Sequence, residues 1–219
     1  FKNKTNLIKF FKSKKNLFTL FTSGSTGMPK GITHSSGGYL TYAMFTCEKY
    51  FGVNSNSIMM CASDAGWING HTYSLFGPLS IGSTTIILQK PTLLLNSETL
   101  KKILALKSSI LYLPVTLIRM MRSIYHNTRF KKNYIRTVGS MGEPLANEVG
   151  KWLVKNFSTK NSPIINTYFQ TETGGIVTAH KYNEKINDKL YGSVGMPIKN
   201  QLNLNKLNNE KKEIKITSP

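Results

Sequence analysis

Short β-rich runs alternate with segments of helical periodicity along most of this chain, and that alternation restricts the fold more than any other feature. The β-rich runs cover 16–22, 57–61, 84–88, 110–113, 134–138 and 163–168. Between them, 38–50, 70–76, 97–107, 114–125 and 145–157 carry apolar residues at helical spacing, with Ser97 expected as a cap and Pro114 near a helix start. Strand–helix–strand alternation implies right-handed crossovers. The expected fold is therefore α/β: a mostly parallel β-sheet with helices on both faces. In such sheets ligands sit outside the carboxyl ends of the strands. Three unusual loops follow the runs that end near Phe21, Val138 and Ile165, so they are expected at one edge of one sheet, forming one site.

Composition narrows the class. A chain of 219 residues with 40% apolar content can bury a core without disulfides or metals. No run of 18 apolar residues occurs, so no membrane span is expected. Cys47 and Cys61 have no metal-type spacing, which favours a reducing compartment. The net charge of +19 attracts phosphates in general, but it is almost all lysine, interleaved with asparagine. Arginine is confined to Arg119, Arg122, Arg129 and Arg136. Sequence readers of nucleic acid favour the arginine fork, so no specific nucleic-acid binding is expected. The chain divides into a basic connecting segment at 1–16, a core at 17–180 and a polar Asn/Lys-rich part at 181–219. It lacks a start methionine and is expected to be a piece of something longer.

The first loop is Thr22-Ser23-Gly24-Ser25-Thr26-Gly27-Met28-Pro29-Lys30-Gly31. Its glycines allow close backbone approach, while its hydroxyls and Lys30 supply donors for phosphate oxygens. It is not a Walker A loop, because Gly31 rather than Ser or Thr follows the lysine. The second loop, Gly139-Ser140-Met141-Gly142-Glu143-Pro144, has glycines that can admit a flat ring. The third, Asn166-Thr167-Tyr168-Phe169-Gln170-Thr171-Glu172-Thr173-Gly174-Gly175, sets one carboxylate among hydroxyls and aromatics. That makes Glu172 a candidate magnesium partner.

The first motif resembles the phosphate loop of the adenylate-forming enzymes. The second and third, together with Asp64-Ala65-Gly66-Trp67-Ile68-Asn69-Gly70-His71-Thr72-Tyr73, Gly37-Gly38-Tyr39 and Gly77-Pro78-Leu79, are similar to segments of that family's acetyl-CoA synthetase branch. The resemblance covers roughly 17–180 and implies part of the large N-terminal domain of such an enzyme. It implies an acetate–CoA ligase that makes acetyl-AMP and pyrophosphate from acetate and ATP, then transfers the acetyl group to coenzyme A, with Mg²⁺ assisting. A propionate-activating relative or an inactive nucleotide-binding protein are the alternatives. The implied location is cytoplasmic, with nuclear residence also compatible.

The same resemblance assigns roles. Thr22, Ser23, Gly24, Ser25, Thr26, Gly27 and Lys30 would hold the leaving pyrophosphate. Gly142, Glu143 and Pro144 would line the adenine side. Asn166, Thr167, Tyr168, Phe169, Gln170 and Thr171 would contact the nucleotide, and Glu172 would bind magnesium. Lys30, Thr171 and Glu172 are the implied catalytic residues. Ile68, Asn69, Met141 and Phe169 would wall the acyl pocket, with Asn69 also near coenzyme A; His71 is expected to be structural. The chain departs from the family pattern at Asn166, Tyr168 and Phe169, where Asp, Trp and Trp are usual, and at Asn69 and Met141, where Thr and Val are usual. The family's Thr-Gly-Asp segment that holds the ribose, and its C-terminal domain with a catalytic lysine, have no match in the chain.

Overall fold

A computed structural model describes residues 9–23, 27–128, 130, 134–159, 164–197, 202–206 and 212–216. Strand β1 (Asn16–Ser23) turns back into β2 (Pro29–Ser35), and helix α1 (Ser36–Thr46) follows, continued by a π-helical turn, Cys47–Phe51. Then come β3 (Ile58–Cys61), α2 (Ile68–His71), a second π-helical turn at Thr72–Phe76, α3 (Gly77–Ser80) and β4 (Thr84–Ile86). After a short 3-10 segment the chain runs through α4 (Ser97–Ala105), β5 (Ile110–Pro114), α5 (Val115–Tyr125), β6 (Thr137–Met141), α6 (Asn147–Phe157) and β7 (Ile164–Tyr168). Four further strands complete the described chain: β8 (Thr178–Ala179), β9 (Met196–Pro197), β10 (Leu202–Lys206) and β11 (Lys212–Ile216).

The main sheet has seven strands in the order β4-β3-β5-β6-β7-β8-β9. The first five run parallel, and β8 and β9 extend the edge antiparallel. This is the expected mostly parallel α/β sheet, and the period-2 alternation of its strands divides the core in two. Met60, Leu111, Leu113, Val138 and Ile164 pack under α4, α5 and α6 with Leu100, Ile118, Met121, Leu153 and Phe157. Met59, Cys61, Ile110, Tyr112, Met141 and Ile165 face the opposite layer, with Cys47, Tyr50, Phe51 and Tyr73. Helices therefore cover both faces, as strands buried on both sides require.

Several expectations need correction. The run at 16–22 does not enter the parallel sheet: β1 pairs antiparallel with β2, Leu20 opposite Ile32 and Thr22 opposite Lys30. Only residues 24–28 separate the two strands, far short of the dozen or more that a parallel crossover needs. The strand expected at 134–138 lies at Thr137–Met141, fully buried along its length, while Tyr134 is exposed. Gly139 and Ser140 have poor strand propensity, but parallel pairing with Ile110–Pro114 on one side and Ile164 onward on the other overrides it. Helix α4 is capped by Asn96, whose Oδ1 accepts from Thr99 N at 3.0 Å, rather than by Ser97. The β10–β11 hairpin lies where the sequence carried few signals.

Candidate active site

The carboxyl ends of β3, β5 and β6 open onto one cleft of about 420 Å³. Ser63, Asp64, Trp67 and Asn69 line it after β3, Pro114, Thr116, Leu117 and Met120 at the β5–α5 junction, and Met141, Gly142 and Glu143 after β6. The turn after β3 is shaped by Asp64, whose Oδ1 accepts from Gly66 N at 2.7 Å, and this leaves Trp67 exposed at the rim. Asn69 Nδ2 donates to the Met141 thioether, so these two residues form one wall. Ile68 is buried behind them, outside the cleft lining.

The second loop divides into two functions. Gly139 lies inside β6, where a Cβ would stand 2.8 Å from Phe51 Cε1 and 2.8 Å from Tyr112 Cδ2, so its bareness serves core packing. Gly142 takes φ +89° with open space around it, and that left-handed turn directs Glu143 and Pro144 outward. Arg119 on α5 ties this turn down. Its Nη1 donates to Glu143 Oε2 at 3.0 Å and its Nη2 to Pro144 O at 3.3 Å.

The third loop leaves β7 with its first residues turned inward. Asn166 is buried; its Oδ1 accepts from Ser140 Oγ at 2.9 Å and its Nδ2 donates to Gly192 O at 2.9 Å. Thr167 is buried too, with Oγ1 donating to Ser140 O and lying 2.6 Å from Tyr112 Oη. Phe169 is half-buried, packed edge-on against Tyr73 and outside the cleft lining. Tyr168 Oη accepts from Gln170 Nε2 at 3.0 Å. A one-turn 3-10 helix, Thr171–Thr173, then presents Glu172 to solvent, with Gln170 N donating to Thr173 Oγ1 at 3.0 Å.

Aromatic and hydroxyl groups hold the backbone of this turn from behind. Thr72 Oγ1 donates to Gly174 O at 2.7 Å and pairs with Tyr39 Oη. Tyr42 Oη donates to Ile176 O, and Ile176 N donates to Tyr73 Oη, both at 2.7 Å. Burial pushes the Tyr73 and Tyr112 hydroxyls well above the usual phenol range, so both stay neutral hydrogen-bonding groups.

The β1–β2 hairpin brings Thr22, Ser23, Gly27 and Lys30 to its tip, with Lys30 exposed; Gly24, Ser25 and Thr26 lie outside the described residues. His34 Nε2 donates to Thr171 O at 2.8 Å and so joins the hairpin to the third loop. The first loop thus reaches the region through a side-chain contact, not as the end of a strand in the main sheet.

A family profile described as AMP-binding enzyme matches residues 5–215. This chain belongs to that family. Among AMP-binding enzymes it is similar to the acetyl-coenzyme A synthetase of Herminiimonas arsenicoxydans, 39% identical over 168 residues, covering 74% of this chain and 26% of that protein. The acetyl-coenzyme A synthetase of Vibrio parahaemolyticus is 39% identical over 171 residues, 77% of this chain and 26% of the relative. That of Psychromonas ingrahamii is 42% identical over 167 residues, 74% of this chain and 25% of the relative. The chain therefore spans about a quarter of the length of the curated relatives it matches.

Within the family fold, the residues that sequence reasoning missed are the braces: His34, Arg119, Tyr39, Tyr42 and Thr72. Tyr39 and Thr72 stand inside quoted motifs but without an assigned role, His34, Arg119 and Tyr42 stand outside them, and each acts on a partner distant in sequence, His34 on one 137 residues away. His71 carries a structural environment, tilted against Phe18 with ring centroids 4.7 Å apart and its Nδ1 3.3 Å from Trp67 O. Among the described residues no group of three or more His, Cys, Asp or Glu is placed to hold a metal. Glu172, a single exposed carboxylate, fits the one kind of cation site that needs no protein cage: Mg²⁺ held by one carboxylate, substrate phosphates and waters. Among the described residues no helix is long and apolar enough to cross a membrane.

Proposed function

We propose that this chain is the nucleotide-binding core of an AMP-forming acetate–CoA ligase. The observation that carries the reading is the convergence of the Asp64–Asn69 turn and the Met141–Glu143 turn on one cleft, in a chain about 40% identical to proteins named acetyl-coenzyme A synthetase. These two segments come from strands β3 and β6, which are not neighbours in the sheet, and the fold brings both to the same edge.

In this reading an acetate oxygen attacks the α-phosphorus of ATP in line. The bond from that phosphorus to the β-bridging oxygen breaks, and pyrophosphate leaves. The coenzyme A thiolate then attacks the carbonyl of acetyl-AMP and AMP leaves, so the protein supplies no covalent nucleophile. Thr22, Ser23, Gly27 and Lys30, with Gly24, Ser25 and Thr26, hold the pyrophosphate side, and Lys30 neutralises charge that grows as the bond breaks. Gly142, Glu143 and Pro144 border the adenine. The buried Asn166 and Thr167 brace the third loop from inside, while Tyr168, Gln170 and Thr171 offer their exposed edges to the nucleotide. Glu172 would hold Mg²⁺, which when bound supplies charge neutralisation at the substrate phosphates. Asn69 and Met141 border the acyl group. The two free, buried cysteines and the thiol substrate are consistent with a reducing compartment, so a cytoplasmic location belongs to the same reading, as does coenzyme A as the acceptor.

Two variants test it by calorimetry and acetate-dependent exchange of labelled pyrophosphate into ATP. Lys30→Ala weakens MgATP and pyrophosphate binding about tenfold or more and leaves AMP binding within about twofold. Glu172→Gln lowers exchange while sparing AMP. Equal losses of AMP and ATP in both variants would remove the assignment.

A further inference from the structure

The β1–β2 hairpin forms its own two-stranded sheet, and among the described residues it makes no ladder hydrogen bonds to the seven-stranded sheet. Its base is fixed by backbone, since β2 runs straight into α1 and Ser36 N and Gly37 N donate to Lys15 O and Ser13 O, both at 2.8 Å, so side chains matter for how its far end sits against the site. One set is apolar: Phe18 packs against Tyr39 at 4.9 Å, His71 at 4.7 Å and Phe76 at 5.9 Å between ring centroids. Such contacts hold the hairpin against the body but are non-directional and tolerate sliding. The other is polar: His34 Nε2 donates to Thr171 O over 2.8 Å, in a partly buried setting.

We infer that His34 is a positioning residue that sets the spacing between the phosphate-side hairpin and the Glu172 turn. The geometry is built for it at both ends. The His34 ring is flanked by Phe18 at 5.3 Å and Tyr39 at 5.1 Å, which limits its rotation. Its acceptor belongs to the turn whose Gly174 carbonyl is held by Thr72, which is in turn held by Tyr39. Gly174 takes φ +69°, and a Cβ there would stand 3.0 Å from His34 Cε1, so the glycine gives the ring room to reach the turn. Lys30, itself exposed, lies on the same face of β2 as the half-buried Ile32 and His34 and sits four residues from His34, about 13 Å along the strand. Because the acceptor is a carbonyl, Nε2 is the donor and carries the proton in this strut.

This inference rests on the proposed ATP-binding reading for its consequence. A ligand that spans both sides, with its α-phosphate near Glu172 and its pyrophosphate on the hairpin, depends on the spacing. AMP, held at the sheet edge alone, does not. The test compares the chain with His34→Ala and His34→Gln, since a glutamine amide places a donor near the position of Nε2. MgATP and AMP affinities are measured by calorimetry, and backbone hydrogen exchange is followed over β1–β2 and residues 171–174. His34→Ala is expected to weaken MgATP about tenfold with AMP within about twofold, and to speed exchange at the Thr173 and Gly174 amides and in the hairpin. His34→Gln is expected to recover most of the MgATP affinity. Equal loss of both nucleotides, failure of glutamine to recover, or unchanged exchange in His34→Ala overturns the strut. If the unaltered chain binds neither nucleotide, the ligase reading falls, and the exchange measurement alone decides the strut.

Discussion

Arg119 Nη1 lies 3.0 Å from Glu143 Oε2, while its Nη2 reaches Pro144 O, so one guanidinium on α5 grips both the side chain and the backbone of the turn after β6. Both side chains are more than a third exposed, so solvent screens the pair and its worth to global stability is at most about 1 kcal/mol. Its consequence is local. Arg119→Ala is expected to lower AMP and MgATP affinity together, by about two- to fivefold, with little change in Tm. A selective loss of MgATP, measured by calorimetry, would transfer Arg119 to the phosphate side. This signature is the opposite of that expected for His34→Ala.

Met141 is buried, lines the cleft and contacts Asn69, whereas Phe169 packs on Tyr73 outside the lining. On the proposed ligase reading, acid preference is therefore expected to respond to residue 141 more than to residue 169. Met141→Val shortens the wall and favours propionate over acetate, since one methylene in an apolar pocket is worth about 1–3 kcal/mol. Phe169→Trp moves the ratio less. Ratios of kcat/KM from acid-dependent pyrophosphate exchange check both, and a larger shift at 169 would place the acyl end against Tyr73 instead.

Gly139→Ala puts a methyl group 2.8 Å from both Phe51 and Tyr112 and 3.2 Å from Ile165 O, inside a strand buried on both faces. Overpacking of this kind costs about 1–3 kcal/mol, which corresponds to a fall in Tm of roughly 3–10 °C. Thermal unfolding measures it. A stability unchanged by the substitution would mean that Phe51 and Tyr112 can both move aside.

Burial raises the Cys47 thiol well above its usual range and pushes Cys61 up to about 12. A folded-state pKa above the unfolded value means that the unfolded chain releases protons first as pH rises. The stabilisation is thus complete below about pH 8.5 and is lost as pH climbs through the folded value, at up to about 1.4 kcal/mol per pH unit for each thiol. Unfolding midpoints in denaturant are expected to fall steeply between about pH 9 and 12. Neither thiol should react with a disulfide reagent at pH 8 before the chain unfolds, and fast labelling of the native chain would contradict the burial.

Much of the main sheet was legible because its strands alternate with amphipathic helices. The segments that became β3, β5 and β7 lie within a residue or two of their expected positions. β6 was displaced because Gly139 and Ser140 have little strand propensity of their own; they are strand residues only because β5 and β7 flank them. The hairpin partner β2 was invisible because Pro29-Lys30-Gly31 reads as loop chemistry. Of the site, the motif loops were legible, while the bracing roles of His34, Arg119, Tyr42, Tyr39 and Thr72 were not, although the last two stand in quoted motifs.

By itself, the sequence determined the α/β class, the motif segments and the loop chemistry suited to phosphate. These depend on local periodicity and on residue types that a short segment carries whole. The sequence placed the site among the three loops after Phe21, Val138 and Ile165, whereas the cleft joins the second of these to the Asp64–Asn69 turn. Only the tertiary structure decided that the first loop sits on a separate hairpin, that Asn166 and Thr167 spend their side chains inward, and that His34 and Arg119 hold the loops in place. The reason is physical. A hydrogen bond between residues 137 positions apart leaves no trace in local patterning, because its two ends become neighbours only after the sheet and its covering layers have packed.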